Sequence, residues 1–85
     1  MPTPRQPSKP IGSLLKRAVG LPGPGERARL RLAANLTQAE VAEAVGVNRV
    51  QVARWETGRA EPRQPHRWLY AQLLHDLAGR FPQRS

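Results

Sequence analysis

The sequence predicts an all-α fold, a small bundle of four short core helices. Three observations support this prediction: apolar residues recur at helical spacing, capping patterns stand at two helix starts, and glycine or proline follows the predicted helix ends. The predicted core helices cover residues 26–35, 38–45, 49–57 and 65–78. A chain of 85 residues has room for one domain of this kind, here residues 26–79.

The first core helix is predicted at residues 26–35. Glu26 would lie near the positive end of the helix dipole, and a thin apolar face is provided by Leu30, Ala33 and Ala34. The preceding segment, residues 21–25, contains two prolines and two glycines. Because such a segment prevents regular structure, it is predicted to be a linker.

Two capping patterns mark the starts of the second and third helices. Thr37 and Glu40 form a capping box, and Asn48 with Gln51 forms a second one. Glycines 46 and 58 are placed to end these two helices in the left-handed conformation. The buried stripe of the second helix would be Val41, Ala42 and Val45. Two capped helices joined by so short a turn are typical of a helix-turn-helix.

The last core helix is predicted at residues 65–78, with proline at its start and Gly79 at its end. It should cover the core with a wide apolar stripe of Leu69, Tyr70, Leu73, Leu74 and Leu77. Residues 80–85 follow as a basic tail.

The first twenty residues are predicted to lie outside the main domain. Prolines at positions 2, 4, 7 and 10 make residues 1–10 an extended, basic, flexible arm. Residues 11–20 have the spacing of a short amphipathic helix, with Ser13 as its cap and Gly20 at its end. So short a helix either docks on the domain or stays unfolded until something binds.

The charge predicts a polyanionic partner. The net charge is +8, and twelve of the fourteen basic residues are arginine, which suits phosphates and guanine edges. A high-GC coding bias would produce the same arginine content. Nucleic acid and an anionic membrane surface both satisfy the charge alone. The excess lies in the flanks, since residues 26–58 are nearly balanced.

Composition argues against an enzyme, a cofactor and a metal site. The chain has no cysteine, which excludes disulfides, thiolate zinc sites and cysteine nucleophiles. His66 and His75 lie near neither a second histidine at ligand spacing nor a pair of carboxylates. With no apolar run of about 20 residues and no signal-peptide pattern, the expected location is the cytoplasm.

Residues 36–59 read LTQAEVAEAVGVNRVQVARWETGR, and this stretch resembles the Cro/lambda-repressor-like (XRE) helix-turn-helix family. The resemblance extends over residues 26–77. It implies a lambda-repressor-like bundle that binds double-stranded DNA in a sequence-specific way, with no small-molecule ligand. It also makes Ala42, Val47, Val52 and Trp55 structural residues, packed at or beneath the crossing of the second and third helices.

The resemblance also implies roles for individual residues. Its recognition helix, residues 48–57, would read bases in the major groove with Arg49, Val50 and Arg54. Contacts to the DNA backbone, or orientation of the reading side chains, would come from Thr37, Gln38, Asn48, Gln51 and Arg59. For Gln51 the capping role is an equal alternative. Arg31 and Glu56 match the family's structural ion pair. The arm would add contacts through Arg5, Lys9, Lys16 and Arg17, unless residues 11–19 dock on the domain, the alternative slightly favoured here.

The sequence departs from the family pattern in three places, one of them being that no fifth helix is expected after residues 65–78. Arg27 stands where an apolar residue is usual, so either the first helix is shifted or the arginine stem crosses the core with its charge in water. Gln64 and Pro65 fall where an apolar residue often starts the last helix.

The functional expectation is a transcriptional repressor that binds an inverted-repeat operator as a homodimer. Trp68, Tyr70 and Leu74 are candidates for the dimer interface, although core packing is the more ordinary role for each. One alternative is an antitoxin or accessory interaction module that uses the helix-turn-helix as an anchor. Binding to a membrane surface through residues 14–19 is a weaker alternative, because that apolar face is short.

Overall fold

The structure, a computed structural model, describes residues 20–82. This part of the chain forms four α-helices and no strand: α1 (Pro24–Ala33), α2 (Gln38–Val45), α3 (Arg49–Thr57) and α4 (His66–Arg80). The predicted all-α fold of four core helices is confirmed. The predictions for the arm, for the short helix of residues 11–19 and for residues 83–85 fall outside the described residues.

Helix α1 begins two residues before the predicted start. Pro24 and Gly25, assigned to the linker from the sequence, belong to its first turn, and Gly23 is the N-cap. Proline is accepted at the first helical position because the amide it lacks would have no partner inside the helix. The helix ends at Ala33, two residues early, because Asn35 adopts a left-handed φ of 62° and reverses the chain.

Helices α2 and α3 span the ranges expected from their caps. Thr37 makes both hydrogen bonds of the capping box with Glu40, and Gly46 ends α2 with a φ of 93°. Asn48 caps α3 by accepting from the Gln51 amide, and Gly58 ends it with a φ of 77°. The second box was predicted in full, but within residues 20–82 the Gln51 side chain makes no return bond.

Helix α4 is longer than predicted at its C-terminal end. It begins at His66, after Pro65 as N-cap, and continues to Arg80. Gly79 was predicted to end the helix but lies within its last turn, and the Phe81 amide still bonds to the Leu77 carbonyl at 2.8 Å. Glycine lowers helix propensity without forcing a stop when the backbone bonds can continue.

The core lies where the four helices meet, and α2 packs most extensively on α3. Its buried residues include Ala42, Val52 and Trp55, as expected from the family resemblance, and Val47 is partly buried against them. Two predictions were wrong here. Ala33 is exposed on the outer side of α1, and Leu69 is 47% exposed on the outer side of α4. In both helices, the predicted apolar face is wider than the surface that the other helices cover.

Tyr70 and Leu74 belong to the core and are not available for a dimer interface. They are 1% and 2% exposed, whereas Trp68 is 43% exposed. The Tyr70 ring packs on Trp55 of α3, with ring centroids 4.6 Å apart and planes tilted by 40°. The Tyr70 hydroxyl is buried and has no hydrogen-bond partner among the described residues. Burial, reinforced by the charge of Glu56, raises the pKa of Tyr70 to about 12.

This shift makes the fold sensitive to alkaline pH. The neutral phenol is favoured in the folded state, so its contribution is complete below pH 10 and is lost as the pH rises through about 12. We expect the free energy of unfolding to fall by about 2 kcal/mol over this range. Chemical denaturation at several pH values measures the fall, and tyrosinate absorbance reports Tyr70 directly because it is the only tyrosine.

The matched variant is Tyr70→Phe. It should lack most of this pH dependence and be at least as stable as the wild type at pH 7, because the hydroxyl has no hydrogen bond to lose within residues 20–82. An equally steep alkaline loss in the variant would show that another group is responsible.

Candidate nucleic-acid interface

Helix α3, which follows the α2–α3 turn, presents an exposed face. Val52 and Trp55 are buried, so at 100° per residue the opposite face carries Val50, Arg54 and Thr57. Val50 is 53% exposed, and Arg54 and Thr57 are exposed. Arg49 and Gln51 flank this face on opposite sides. The three predicted base-reading residues are therefore all exposed on one helix, with Val50 and Arg54 at its centre.

A hydrogen-bonded network connects α1, α2 and α3 behind this face. Arg31 Nε lies 2.6 Å from Glu56 Oε2, and Arg31 Nη2 lies 3.0 Å from Glu56 Oε1. The pair is largely buried, with side chains 13% and 5% exposed. Its hydrogen bonds to Glu56 raise the pKa of Arg31. The ion pair that the resemblance implied is thus a bidentate contact between α1 and the end of α3.

Gln38 extends this network to the exposed surface. Its Nε2 donates to Glu56 Oε1 at 3.1 Å, and its Oε1 accepts from Arg49 Nη1 at 3.0 Å. The amide orientation follows from its partners, since the carboxylate needs a donor and the guanidinium needs an acceptor. Gln38 therefore holds Arg49 at the start of α3.

The other residues predicted to contact the DNA backbone are exposed, but some of their polar groups already form hydrogen bonds within the protein. The Thr37 amide donates to Glu40 and its hydroxyl accepts from the Glu40 amide, so the hydroxyl keeps its O–H donor for a contact to the DNA backbone. Asn48 uses its side-chain oxygen as a cap and keeps its amide donors. The side chain of Gln51 makes no hydrogen bond within residues 20–82, and Arg59 is exposed just after Gly58.

A depression of about 570 Å³ opens beside the start of α2, lined by Gln38, Ala39 and Arg49 among others. The first amides of α2 have no acceptor within the helix, and the dipole makes this end positive. With the Arg49 guanidinium beside them, these groups are suited to an anion such as a backbone phosphate.

Ion pairing separates the arginines into two groups. Four of the arginines in residues 20–82 form ion pairs: Arg27 with Glu61, Arg29 with Glu26, Arg31 with Glu56 and Arg80 with Asp76. The hydrogen bond from Arg29 lowers the pKa of Glu26. The remaining arginines of the described range make no ion pair there, and all lie between α3 and the start of α4: Arg49, Arg54, Arg59, Arg63 and Arg67. This stretch therefore carries the uncompensated positive charge of the domain.

Arg63 and Arg67 were not singled out from the sequence. The signal was present, since residues 59–85 hold five arginines against two acids. What the sequence could not show is which of those arginines an acid neutralises. The folded structure shows that Glu61 pairs with Arg27 and that Asp76 pairs with Arg80.

Among residues 20–82, no helix is long and apolar enough to cross a membrane. The same residues contain no cluster of three or more histidine, cysteine or acidic side chains that could hold a metal ion.

Comparison with known proteins agrees with this geometry. A family model described as helix-turn-helix matches residues 28–75, more than half of the chain. No curated protein and no solved structure matches the chain. The matched range contains α2, the turn at Gly46, α3 with its exposed face, and most of α1 and α4. The chain therefore belongs to the helix-turn-helix family of DNA-binding proteins, of the Cro/lambda-repressor-like (XRE) type.

Proposed function

We propose that the chain is a transcriptional repressor that recognises an inverted-repeat operator in double-stranded DNA as a homodimer. The observation that carries the proposal is the segregation of charge. Every arginine of residues 20–82 that lacks an ion pair lies on α3, on the following loop or on the first turns of α4. A protein surface that binds along the phosphates of a DNA groove needs arginines that no acid neutralises, collected on one side.

The residue types on α3 favour sequence-specific binding over simple charge attraction. In the proposed complex, Arg54 and Arg49 form paired hydrogen bonds with guanine O6 and N7, and the Val50 side chain contacts a thymine methyl group. Around them, Gln38, Asn48, Gln51 and Arg59 contact phosphates or orient the reading side chains. The Arg31–Glu56 pair supports the proposal by linking the end of α3 to α1 at distances of 2.6 and 3.0 Å.

The homodimer is proposed from the symmetry that inverted repeats require. Of the three interface candidates named from the sequence, Trp68 alone is exposed, at 43%, and Leu69 lies next to it at 47%. Two large apolar side chains on the outer side of α4 are suited to contact a second copy. As a DNA-binding repressor, the protein would act in the cytoplasm, at the nucleoid.

The decisive experiment is selection of binding sites from random duplex DNA with the full chain, followed by affinity measurements over a salt series. We expect a short inverted repeat, and an affinity that falls steeply with salt as counterions are released. An unrepeated site would refute the homodimer. Binding that is salt-sensitive but blind to sequence would refute operator recognition and favour the anchoring role of an accessory module.

A further inference from the structure

Arg27 is a charged residue in the core of the described fold. It is 4% exposed, although the family pattern usually has an apolar residue at this position. The sequence offered a shifted helix or a charge reaching water. Helix α1 does lie two residues earlier than predicted, at Pro24–Ala33, and Arg27 is buried on it together with Leu30. The charge does not reach water, because the guanidinium is enclosed by protein acceptors. A buried charge persists only when its hydrogen bonds are satisfied.

The guanidinium of Arg27 joins three separate parts of the chain. Its Nε donates to the Pro22 carbonyl at 2.7 Å, just before α1. Its Nη1 donates to the Trp55 carbonyl at 2.9 Å, in the last turn of α3. Both Nη atoms donate to Glu61 in the loop after α3, at 3.2 and 2.9 Å. One side chain therefore connects the entry to α1, the end of α3 and the loop that follows.

The contact with Trp55 caps the end of α3. In a continuing helix the Arg59 amide would bond to the Trp55 carbonyl. Here the chain turns at Gly58, and the amides of Arg59 and Ala60 both point to the Arg54 carbonyl, at 3.0 and 3.4 Å. Arg27 supplies the missing donor. Its positive charge is also favourable at the negative end of the helix dipole.

The contact with Glu61 fixes the loop. The bidentate pair holds Glu61 toward α1, although its side chain is 56% exposed. Two arginines without ion pairs in the described range, Arg59 and Arg63, stand two positions before and after Glu61. The Arg27–Glu61 contact therefore anchors the loop at a point between these two arginines.

We propose that Arg27 is a positioning residue for DNA binding, a cap from α1 that sets the end of the reading helix and the two loop arginines against the phosphate backbone. The proposal rests on the proposed function. Arg27 itself is buried and touches no DNA. A family member with an apolar residue here would fold but would lack this contact.

The most discriminating test is Glu61→Ala, because a pure charge effect and the proposed positioning role predict opposite changes in DNA affinity. Removing an acid beside a DNA-binding surface should tighten binding if charge alone matters. If Glu61 holds the loop for Arg27, the variant should bind the selected duplex several-fold more weakly, with a salt slope smaller by about one phosphate contact. Glu61→Ala leaves the buried Arg27 guanidinium with carbonyl acceptors alone, so the variant should lose some stability, and its folded fraction is measured by tryptophan fluorescence before the titration.

Two companion variants complete the test. Glu61→Gln keeps the shape and one of the two acceptors and should restore part of the affinity. Glu43→Ala, which removes another exposed acid, should bind as tightly as the wild type or more tightly. Amide hydrogen exchange gives a readout without DNA: Arg59 and Ala60 should exchange faster in Glu61→Ala than in Glu61→Gln.

The outcomes separate the two proposals. If the wild type binds no duplex, the proposed function fails, and the role of Arg27 fails with it. If the wild type binds and Glu61→Ala binds equally or more tightly, the role of Arg27 alone is refuted. Weaker binding with faster exchange in Glu61→Ala, and partial recovery of both in Glu61→Gln, supports it.

Discussion

Replacement of Arg31 by methionine is expected to lower the free energy of unfolding by about 3 kcal/mol. The change leaves Glu56, whose side chain is 5% exposed, as a buried carboxylate without its cationic partner. The variant also loses the bond from Arg31 to the Leu36 carbonyl at 2.9 Å. Denaturant unfolding at pH 7, followed by tryptophan fluorescence, measures the loss. Trp55 is buried in the core next to Glu56, so its emission should report the transition.

The matched control is Arg29→Met on the same helix. Arg29 also has a bidentate partner, Glu26, but their side chains are 34% and 25% exposed. Water solvates the remaining charge there, so this variant should lose far less stability. A second variant, Arg31→Met combined with Glu56→Leu, should recover part of the loss because no unpaired charge stays buried. Equal losses in the two single variants would show that burial of the pair does not set its contribution.

The bounds of α2 and α3 and part of the contacts around Glu56 could be predicted from the sequence. The bounds of α2 and α3 depend on local chemistry, namely the Thr37 and Asn48 caps and two glycines with positive φ, and all of these can be read from neighbouring residues. The Arg31–Glu56 pair came from the family resemblance. Gln38 was expected to steady the reading helix, and the structure gives the contact involved, its bond to Arg49.

What the sequence could not show depends on contacts between distant segments. Nothing near Arg27 in the sequence indicates that Glu61, 34 positions later, would pair with it. The apolar stripe of α4 predicted that both Leu69 and Tyr70 cover the core, but only Tyr70 is buried. Which side of a wide stripe faces the core is decided by the helices packed against it. The same limit hid the separation of paired from unpaired arginines, which is a property of the folded surface.

Arg54→Ala is expected to cause the largest loss of DNA affinity among the exposed arginines. Arg54 lies at the centre of the outward face of α3, one turn from Val50, and makes no ion pair in residues 20–82. A bidentate contact with guanine contributes roughly 1 to 3 kcal/mol of discrimination, equivalent to about a 5- to 150-fold change in Kd. Titration of the selected duplex measures this loss. Arg80→Ala, on the far end of α4 and paired with Asp76, is the control and should change Kd by less than about twofold.

Repeating the site selection with Arg54→Ala and Arg54→Lys distinguishes base reading from phosphate binding. If Arg54 reads a base, Arg54→Ala relaxes the preference at one base pair in each half-site, and Arg54→Lys fails to restore it because an ammonium lacks the planar fork of donors. If Arg54 contacts only a phosphate, both variants retain the selected sequence. In that case Arg54→Ala weakens binding to every duplex alike and reduces the salt slope by about one, and Arg54→Lys restores both. The second pattern would move the base-reading role to Arg49 and Val50. It would also mean that the central exposed arginine of α3 contributes charge and no sequence information.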